Sequence, residues 1–348
     1  MKKKLSFVLA MMMLAAVALL LTACGSSQPV LKVYNWGEYV DMDAIAMFEE
    51  ETGIKVQYDI FGSNEEMYAK VKSGAGDYDI LVPSDYMIER MQKAGMLAEL
   101  DWSAMPNTSG IPERFKDNSY DPGCQYSVPY LWGTLGILYN TSIVKEEVTS
   151  WDILFNGTYS KNILMYDSSR DSIGVAMIQN GFSINSRDES ELEKAKQTLI
   201  DQKHDVLAYV LDDVKDKMIQ GEAALAVVYS GYVTDAIDQN PDLAYCIPEE
   251  GSNVWVDGMV IPANSKNKEL AQKFIDFMCR PDIALMNVRY VAYSTPVQGC
   301  LDLMEDSERN NPIAYPTDEE LARCVYFQDL GDYNEKYDDA WLKIKSAQ

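Results

Sequence analysis

Histidine is almost missing from this sequence of 348 residues: His204 is the only one. A His-rich metal site is therefore excluded. A Ser-His-Asp base would rest on one imidazole in the polar stretch Asp201-Gln202-Lys203-His204-Asp205, with no aromatic or cysteine beside it. Basic residues are scarce as well. Thirty Lys and Arg face 54 Asp and Glu, a net charge of −24, which argues against nucleic acid as a partner, since phosphate-backbone binding needs clustered cations. So acidic a chain favours cations instead. The six cysteines, at 24, 124, 246, 279, 300 and 324, include no Cys-x-x-Cys pair. That removes zinc-ribbon and dithiol motifs and leaves buried, inert thiols as the expectation. There is no internal repeat, no low-complexity tract and only one long apolar run.

That run lies at the start. Lys2, Lys3 and Lys4 precede an apolar stretch from Phe7 to Leu21, followed by Leu21-Thr22-Ala23-Cys24 and the polar linker Gly25-Ser26-Ser27-Gln28-Pro29. A basic end, an apolar core shorter than the roughly 20 residues of a membrane span, and small residues before a cysteine read as a signal peptide. The Leu-x-x-Cys pattern resembles a bacterial lipobox. It implies cleavage after residue 23 and a lipid on Cys24, anchoring an extracytoplasmic chain to the cell membrane. With 47% hydrophobic and 24% charged residues the remainder can bury a core, and its length suggests about two domains.

Short β-rich runs alternate with helical periods. Strands are expected at Val30–Tyr34, Ile54–Tyr58, Asp79–Val82, Thr134–Tyr139, Asn162–Tyr166, Ala224–Tyr229, Leu243–Ile247 and Val254–Ile261. Helices are expected at Asp43–Glu51, after the capping box Ser63-Asn64-Glu65-Glu66 up to Gly74, at Glu189–Asp201, Asp212–Ile219 and Lys268–Met278, and in the carboxy-terminal portion. Such alternation predicts an α/β architecture in two lobes, each a mixed sheet flanked by helices. Aromatic and polar residues cluster just after the strands, in Asn35-Trp36-Gly37-Glu38-Tyr39, Pro83-Ser84-Asp85-Tyr86, Asp167-Ser168-Ser169-Arg170-Asp171 and Tyr229-Ser230-Gly231-Tyr232. Open α/β sheets bind ligands at that edge. Trp255-Val256-Asp257 puts a ring and a carboxylate on one side of a strand. These segments hold no lysine and a single arginine, Arg170, so the cleft they imply suits an organic polycation, with rings along its methylenes and carboxylates at its ammonium groups. Taken alone, Trp36 or Trp255 reads as readily as core, and Asp171 as a helix cap or first-turn acid.

The whole mature chain also resembles the spermidine/putrescine receptors, the polyamine-binding family of periplasmic-type binding proteins that serve ABC importers. The resemblance is carried by Tyr34-Asn35-Trp36-Gly37-Glu38-Tyr39, Val82-Pro83-Ser84-Asp85-Tyr86, Ser127-Val128-Pro129-Tyr130-Leu131-Trp132-Gly133, Val148-Thr149-Ser150-Trp151, Trp255-Val256-Asp257 and Ile261-Pro262-Ala263-Asn264, in that order. It implies a two-lobed, type II-like fold closing on ligand by a hinge. Lobe 1 would comprise residues 30–132 and 255–301 and lobe 2 residues 133–254 and 302–348, after a signal peptide at 1–23 and a lipidated linker at 24–29. Ligand walls would fall on Trp36, Tyr39, Tyr86, Trp255 and Tyr293, with Ser84 as a polar contact and Asp257 as the principal ammonium partner. Asp171 stands where a longer glutamate is usual, Tyr229 where tryptophan is common, and Ser168 where some spermidine receptors have an aspartate. Gln328 would be a late contact, with Phe327 as the alternative alignment. One carboxylate fewer at Ser168 implies that putrescine binds at least as well as spermidine.

The resulting expectation is a lipid-anchored receptor that captures a polyamine and docks on an ABC permease with its ATPase, performing no chemistry and using no cofactor or metal. A receptor for another solute, a secreted carbohydrate-active enzyme using an Asp/Glu pair, and an adhesive lipoprotein remain the alternatives.

Overall fold

The computed structural model describes residues 28–211 and 213–347; the signal segment and Cys24 lie outside them. Ten strands are present among these residues: β1 (Val30–Trp36), β2 (Lys55–Phe61), β3 (Ile80–Leu81), β4 (Ser127–Asn140), β5 (Ile163–Tyr166), β6 (Val206–Val210), β7 (Leu225–Tyr229), β8 (Leu243–Cys246), β9 (Ser252–Val260) and β10 (Cys324–Val325). They hydrogen-bond in the order β2-β1-β3-β9-β4-β7-β5-β6, with β8 also on β4 and β10 also on β9. Parallel pairs form at the two ends, β1 with β2 and β3, and β5 with β6 and β7. Antiparallel pairs join them through β9 and β4. The α/β class read from the alternation is the one observed: a mixed, curled sheet with helices against it.

The long strand β4 organises the molecule. Its first half, from Ser127 to Thr134, pairs with β9, and its second half, from Leu135 to Asn140, pairs with β7 and β8. Accordingly Val128, Tyr130, Leu131 and Trp132 pack in one apolar core with residues from β1, β3 and β9. Leu135 and Ile137 pack in a second with Ile163, Leu225 and Trp341, and Leu138 packs in a third with Leu164 and Val228. The sequence reading starts this strand at Thr134, too late, because Pro129 and the aromatic run hide the period. Pro129, lacking an N–H, sits at a break in the β4–β9 register, where its loss of a donor is tolerated.

The helices obey local rules. Met42–Thr52 starts at Asp41, which accepts from the Asp43 N–H, and ends at Gly53 with φ 69°, a left-handed turn suited to glycine. It turns Ile45 and Phe48 inward, and the Phe48 ring meets Phe274 and Phe277 of the amphipathic helix Lys268–Met278 edge-on at 5.1 and 5.3 Å. Asn64–Lys72 is capped by Ser63, whose Oγ accepts from the Glu66 N–H at 3.1 Å. Glu66 answers to the N–H of Gly62 rather than to that of Ser63, so the expected reciprocal box is displaced by one residue. The helices Ser169–Gln179 and Pro281–Val291 were not expected from periodicity; the first is buried along most of its length and carries no polar face to betray a period. The cysteines at 124, 279, 300 and 324 are buried and that at 246 half-buried, and all five are free. No helix among the described residues is long and apolar enough to cross a membrane.

Candidate functional site: a carboxylate floor walled by aromatic rings

On β9, Trp255 and Asp257 stand two residues apart and therefore on the same face. Asp257 is 5% exposed, and its Oδ2 accepts from the hydroxyl of Tyr39 at 2.6 Å. Ser84, at the start of the helix Asp85–Lys93, forms a backbone bridge to Asp257. Burial pushes the Asp257 carboxyl up to about 6, against the hydroxyls of Ser84 and Tyr39, which pull it down. Its second oxygen, Oδ1, is buried without a hydrogen-bond partner. An unmet acceptor on a buried carboxylate is costly, so this oxygen is where a cationic donor would gain most.

Rings surround it. Tyr39 meets Tyr293 edge-on at 6.1 Å, Tyr293 meets Trp255 at 4.8 Å and Trp255 meets Tyr229 at 5.9 Å. Trp255 Nε1 is another buried polar atom without a partner. Tyr229 donates to Asp171 Oδ1 at 2.7 Å, and Asp171, 4% exposed in the first turn of Ser169–Gln179, is raised above the usual carboxylate range by burial. Two buried carboxylates, each held by a tyrosine hydroxyl, thus lie at either side of the Trp255–Tyr293 pair. The strands bring together Tyr39, Ser84, Asp171, Tyr229, Trp255, Asp257 and Tyr293 through a continuous series of contacts.

Two glycines make this packing possible. A Cβ on Gly133 would come 2.8 Å from both the Trp255 ring and Ser230 Oγ, and one on Gly231 would come 2.0 Å from the Tyr293 ring. Neither was singled out from the sequence, although Gly231 sits within one of the strand-end clusters. Asn64 was likewise missed as more than part of a helix start. Buried at 4% exposure, it donates to Ser84 Oγ at 3.0 Å and to the Tyr86 hydroxyl at 3.1 Å, while its Oδ1 accepts from the Ser84 N–H. No sequence signal distinguishes such an asparagine from a capping residue.

The remaining candidates sit less directly. Tyr86 gives its hydroxyl proton to Glu65 at 3.0 Å. Trp36 donates its indole N–H to the Val82 carbonyl at 2.9 Å and tilts onto Phe61, so its ring is fixed by the first core. Ser168 caps Ser169–Gln179, its Oγ accepting from the Asp171 N–H at 3.4 Å. The neighbouring Asp167 turns away to Trp341 Nε1 and Lys345 Nζ of the carboxy-terminal helix. Gln328 is exposed and bonded through its backbone, whereas Phe327 is buried beneath the Arg170 guanidinium at 4.5 Å. No group of three or more His, Cys, Asp or Glu is placed to hold a metal among the described residues.

Comparison with known proteins agrees with this architecture. The chain is 34% identical to the spermidine/putrescine-binding periplasmic proteins of Salmonella typhimurium and Escherichia coli, over 97% of its own length and 98% of theirs. It is 29% identical to the putrescine-binding periplasmic protein PotF of Escherichia coli, over 96% of this chain and 97% of that one. Among solved structures, the spermidine/putrescine transporter substrate-binding protein PotD of Streptococcus pneumoniae superposes with a TM-score of 0.82 at 39% identity, covering 91% of this chain and 98% of that one. A putative spermidine/putrescine ABC transporter protein of Listeria monocytogenes gives 0.85 at 38%, covering 92% and 99%. Residues 43–316 match the model of the bacterial extracellular solute-binding proteins, and with that match spanning most of the sequence the chain belongs to this family.

Proposed function

We propose that this protein is an extracytoplasmic polyamine receptor that delivers putrescine or spermidine to an ABC importer. The observation that carries the reading is the unmet, buried Oδ1 of Asp257 within the ring of Tyr39, Tyr293 and Trp255. A desolvated ammonium gains roughly 2 kcal/mol or more over such ring faces, and a carboxylate supplies the countercharge that burial requires. A second carboxylate, Asp171, beside Tyr229 suits the far ammonium of a diamine. The names borne by the relatives point to the same ligands. Trp36, Ser84, Tyr86, Ser168 and Gln328 complete the proposed contacts.

In this reading the two lobes are residues 30–132 with 255–325 and residues 133–254 with 331–347, closing by a hinge. The sequence suggests the third crossing near Leu301, but Met304 and Cys324 pack with the first core and Leu330 with the second, which favours residues 326–330. A lipid on Cys24 would hold the receptor at the membrane, where a permease and its ATPase take the ligand. Capture involves no bond making or breaking.

The test is a titration of the form beginning after Cys24 with putrescine, cadaverine, spermidine and spermine. At about a hundred times the dissociation constant a ligand adds about 2.7 kcal/mol to stability, so the melting temperature should rise with polyamines and stay put with sugars. A rise with a sugar alone would overturn the assignment. Selectivity gives a finer check. Because Ser168 brings no charge, putrescine is expected to bind at least as tightly as spermidine, and Ser168→Asp should move the affinity ratio toward spermidine by about tenfold, since a carboxylate near a desolvated ammonium contributes on the order of 1 kcal/mol or more. Calorimetry on both variants with both ligands reads that ratio; an unchanged ratio would assign selectivity to cleft length.

A further inference from the structure

The segment 326–330 is bonded to both sides of the molecule, and very unequally. On one side stand residues of the second core's helices and their connection. Asn185 Nδ2 donates to the Tyr326 carbonyl at 2.9 Å, its Oδ1 accepts from the Gln328 N–H at 2.9 Å, Arg170 donates to the Gln328 carbonyl at 3.2 Å and Arg187 to the Asp329 carbonyl at 2.9 Å. Leu330 then enters the second core. On the other side stands the helix Asp85–Lys93, whose Met87, Ile88 and Met91 belong to the first core. Glu89, on that helix, accepts from the Asp329 N–H through Oε2 at 2.8 Å. Its Oε1 pairs with Lys93, one turn on, at 2.7 Å, and Lys93 also lies 3.7 Å from Asp329 Oδ2.

The geometry points to Glu89 as a latch between the lobes: a positioning residue that touches no ligand but holds the 326–330 segment, and with it the second lobe, against the first. The segment has four hydrogen bonds to the second side, while on the first it meets Glu89, Lys93 and, through Tyr326, the ring of Tyr120 edge-on at 5.6 Å. Leu330 and the Gln328 and Asp329 backbone are anchored to the second side, so if the lobes part Asp329 travels with the second and the Glu89 bond breaks. A carboxylate acceptor on a backbone N–H is charge-assisted and stronger than a neutral bond, and at 17% side-chain exposure for Glu89 and 9% for Asp329 it is shielded from water. Lys93 orients the carboxylate from its free oxygen, as an i, i+4 partner does. The latch therefore adds stability to the closed form alone, and a ligand held by both lobes leaves only after it opens. The inference rests on the proposed two-lobed reading for its conformational consequence and on the receptor reading for its kinetic one.

Glu89→Ala and Glu89→Gln separate the latch from a merely structural contact. Putrescine release followed by stopped flow should be at least fivefold faster in Glu89→Ala with an unchanged association rate, while Glu89→Gln, which keeps an oxygen acceptor for the Asp329 N–H but loses its charge, should be accelerated clearly less. Small-angle scattering of the ligand-free proteins should show a larger radius of gyration for Glu89→Ala than for wild type. This second measurement needs no ligand and so tests the latch even if polyamines prove not to bind. A release rate in Glu89→Ala within twofold of wild type, equal acceleration in both variants, or identical scattering would overturn the proposal.

Discussion

Asp257→Ala is expected to lower the affinity for putrescine and spermidine by about 30-fold to several thousand-fold, the equivalent of the roughly 2 to 5 kcal/mol lost when one partner of a buried charge pair is truncated. Much of that loss comes from stranding an ammonium among rings and hydroxyls that offer no countercharge. The hydroxyl of Tyr39 loses its acceptor at the same time. Trp255→Leu should come next, through lost ring contact with the ligand and with Tyr293 at 4.8 Å. Asp318→Ala serves as the control, since Asp318 is exposed and pairs with the half-exposed Arg114 at 3.4 Å; such surface pairs contribute little, and affinity there should change less than twofold. Isothermal calorimetry reads all three. Wild-type affinity in Asp257→Ala would place the ligand elsewhere.

Affinity should also fall steeply in mild acid. The carboxyl of Asp257 titrates at about 6 in the ligand-free protein because burial penalises its charge. An alkylammonium stays charged across this range, as lysine does, and it pairs only with the carboxylate, so binding releases the Asp257 proton. Below about pH 6 each unit of acid is therefore expected to cost about tenfold in affinity, and above it the affinity should level off. Asp171, raised in the same direction by burial, steepens the fall where it too becomes protonated. Stability of the ligand-free protein runs the opposite way. With a folded value near 6 and an ordinary unfolded value near 3.9, the contribution of Asp257 is fully present below about pH 4 and is lost by about 3 kcal/mol as the pH rises through 6. A bound diamine restores that loss at neutral pH and adds little at pH 4. Melting curves with and without putrescine between pH 4 and 8 should thus diverge as the pH rises; a ligand-induced shift independent of pH would contradict the role given to Asp257.

Much of this was legible because the informative residues obey short-range rules. The pairs Trp255 and Asp257 sit two apart on a strand, so their common face follows from the pleat alone. Strand-end clusters such as Tyr229-Ser230-Gly231-Tyr232 are found by position in the α/β alternation. What could not be read depends on distant partners. The role of Asn64 exists only because residues 20 and 22 positions later, Ser84 and Tyr86, fold against it. Asp167 and Ser168 are adjacent in sequence, yet one is drawn to Lys345 and Trp341 and the other caps a helix, a division set by the docking of the carboxy-terminal helix. The early half of β4 was obscured by Pro129, whose missing donor is harmless only because the register with β9 shifts there.

A single strand serving three cores has a genetic consequence. Because β4 places Trp132 in the first core and Leu135 in the second, and because β9 returns from far along the chain to pair with its first half, no single cut in the coding sequence yields a fragment holding the whole first core and nothing of the second. Recombination that swapped the first core for that of a relative would have to exchange separated segments at once and would leave unmatched edges on β4. Side-chain substitutions can therefore accumulate one at a time in this architecture, whereas an exchange of contiguous halves would break the pairing of β4 with β7, β8 and β9.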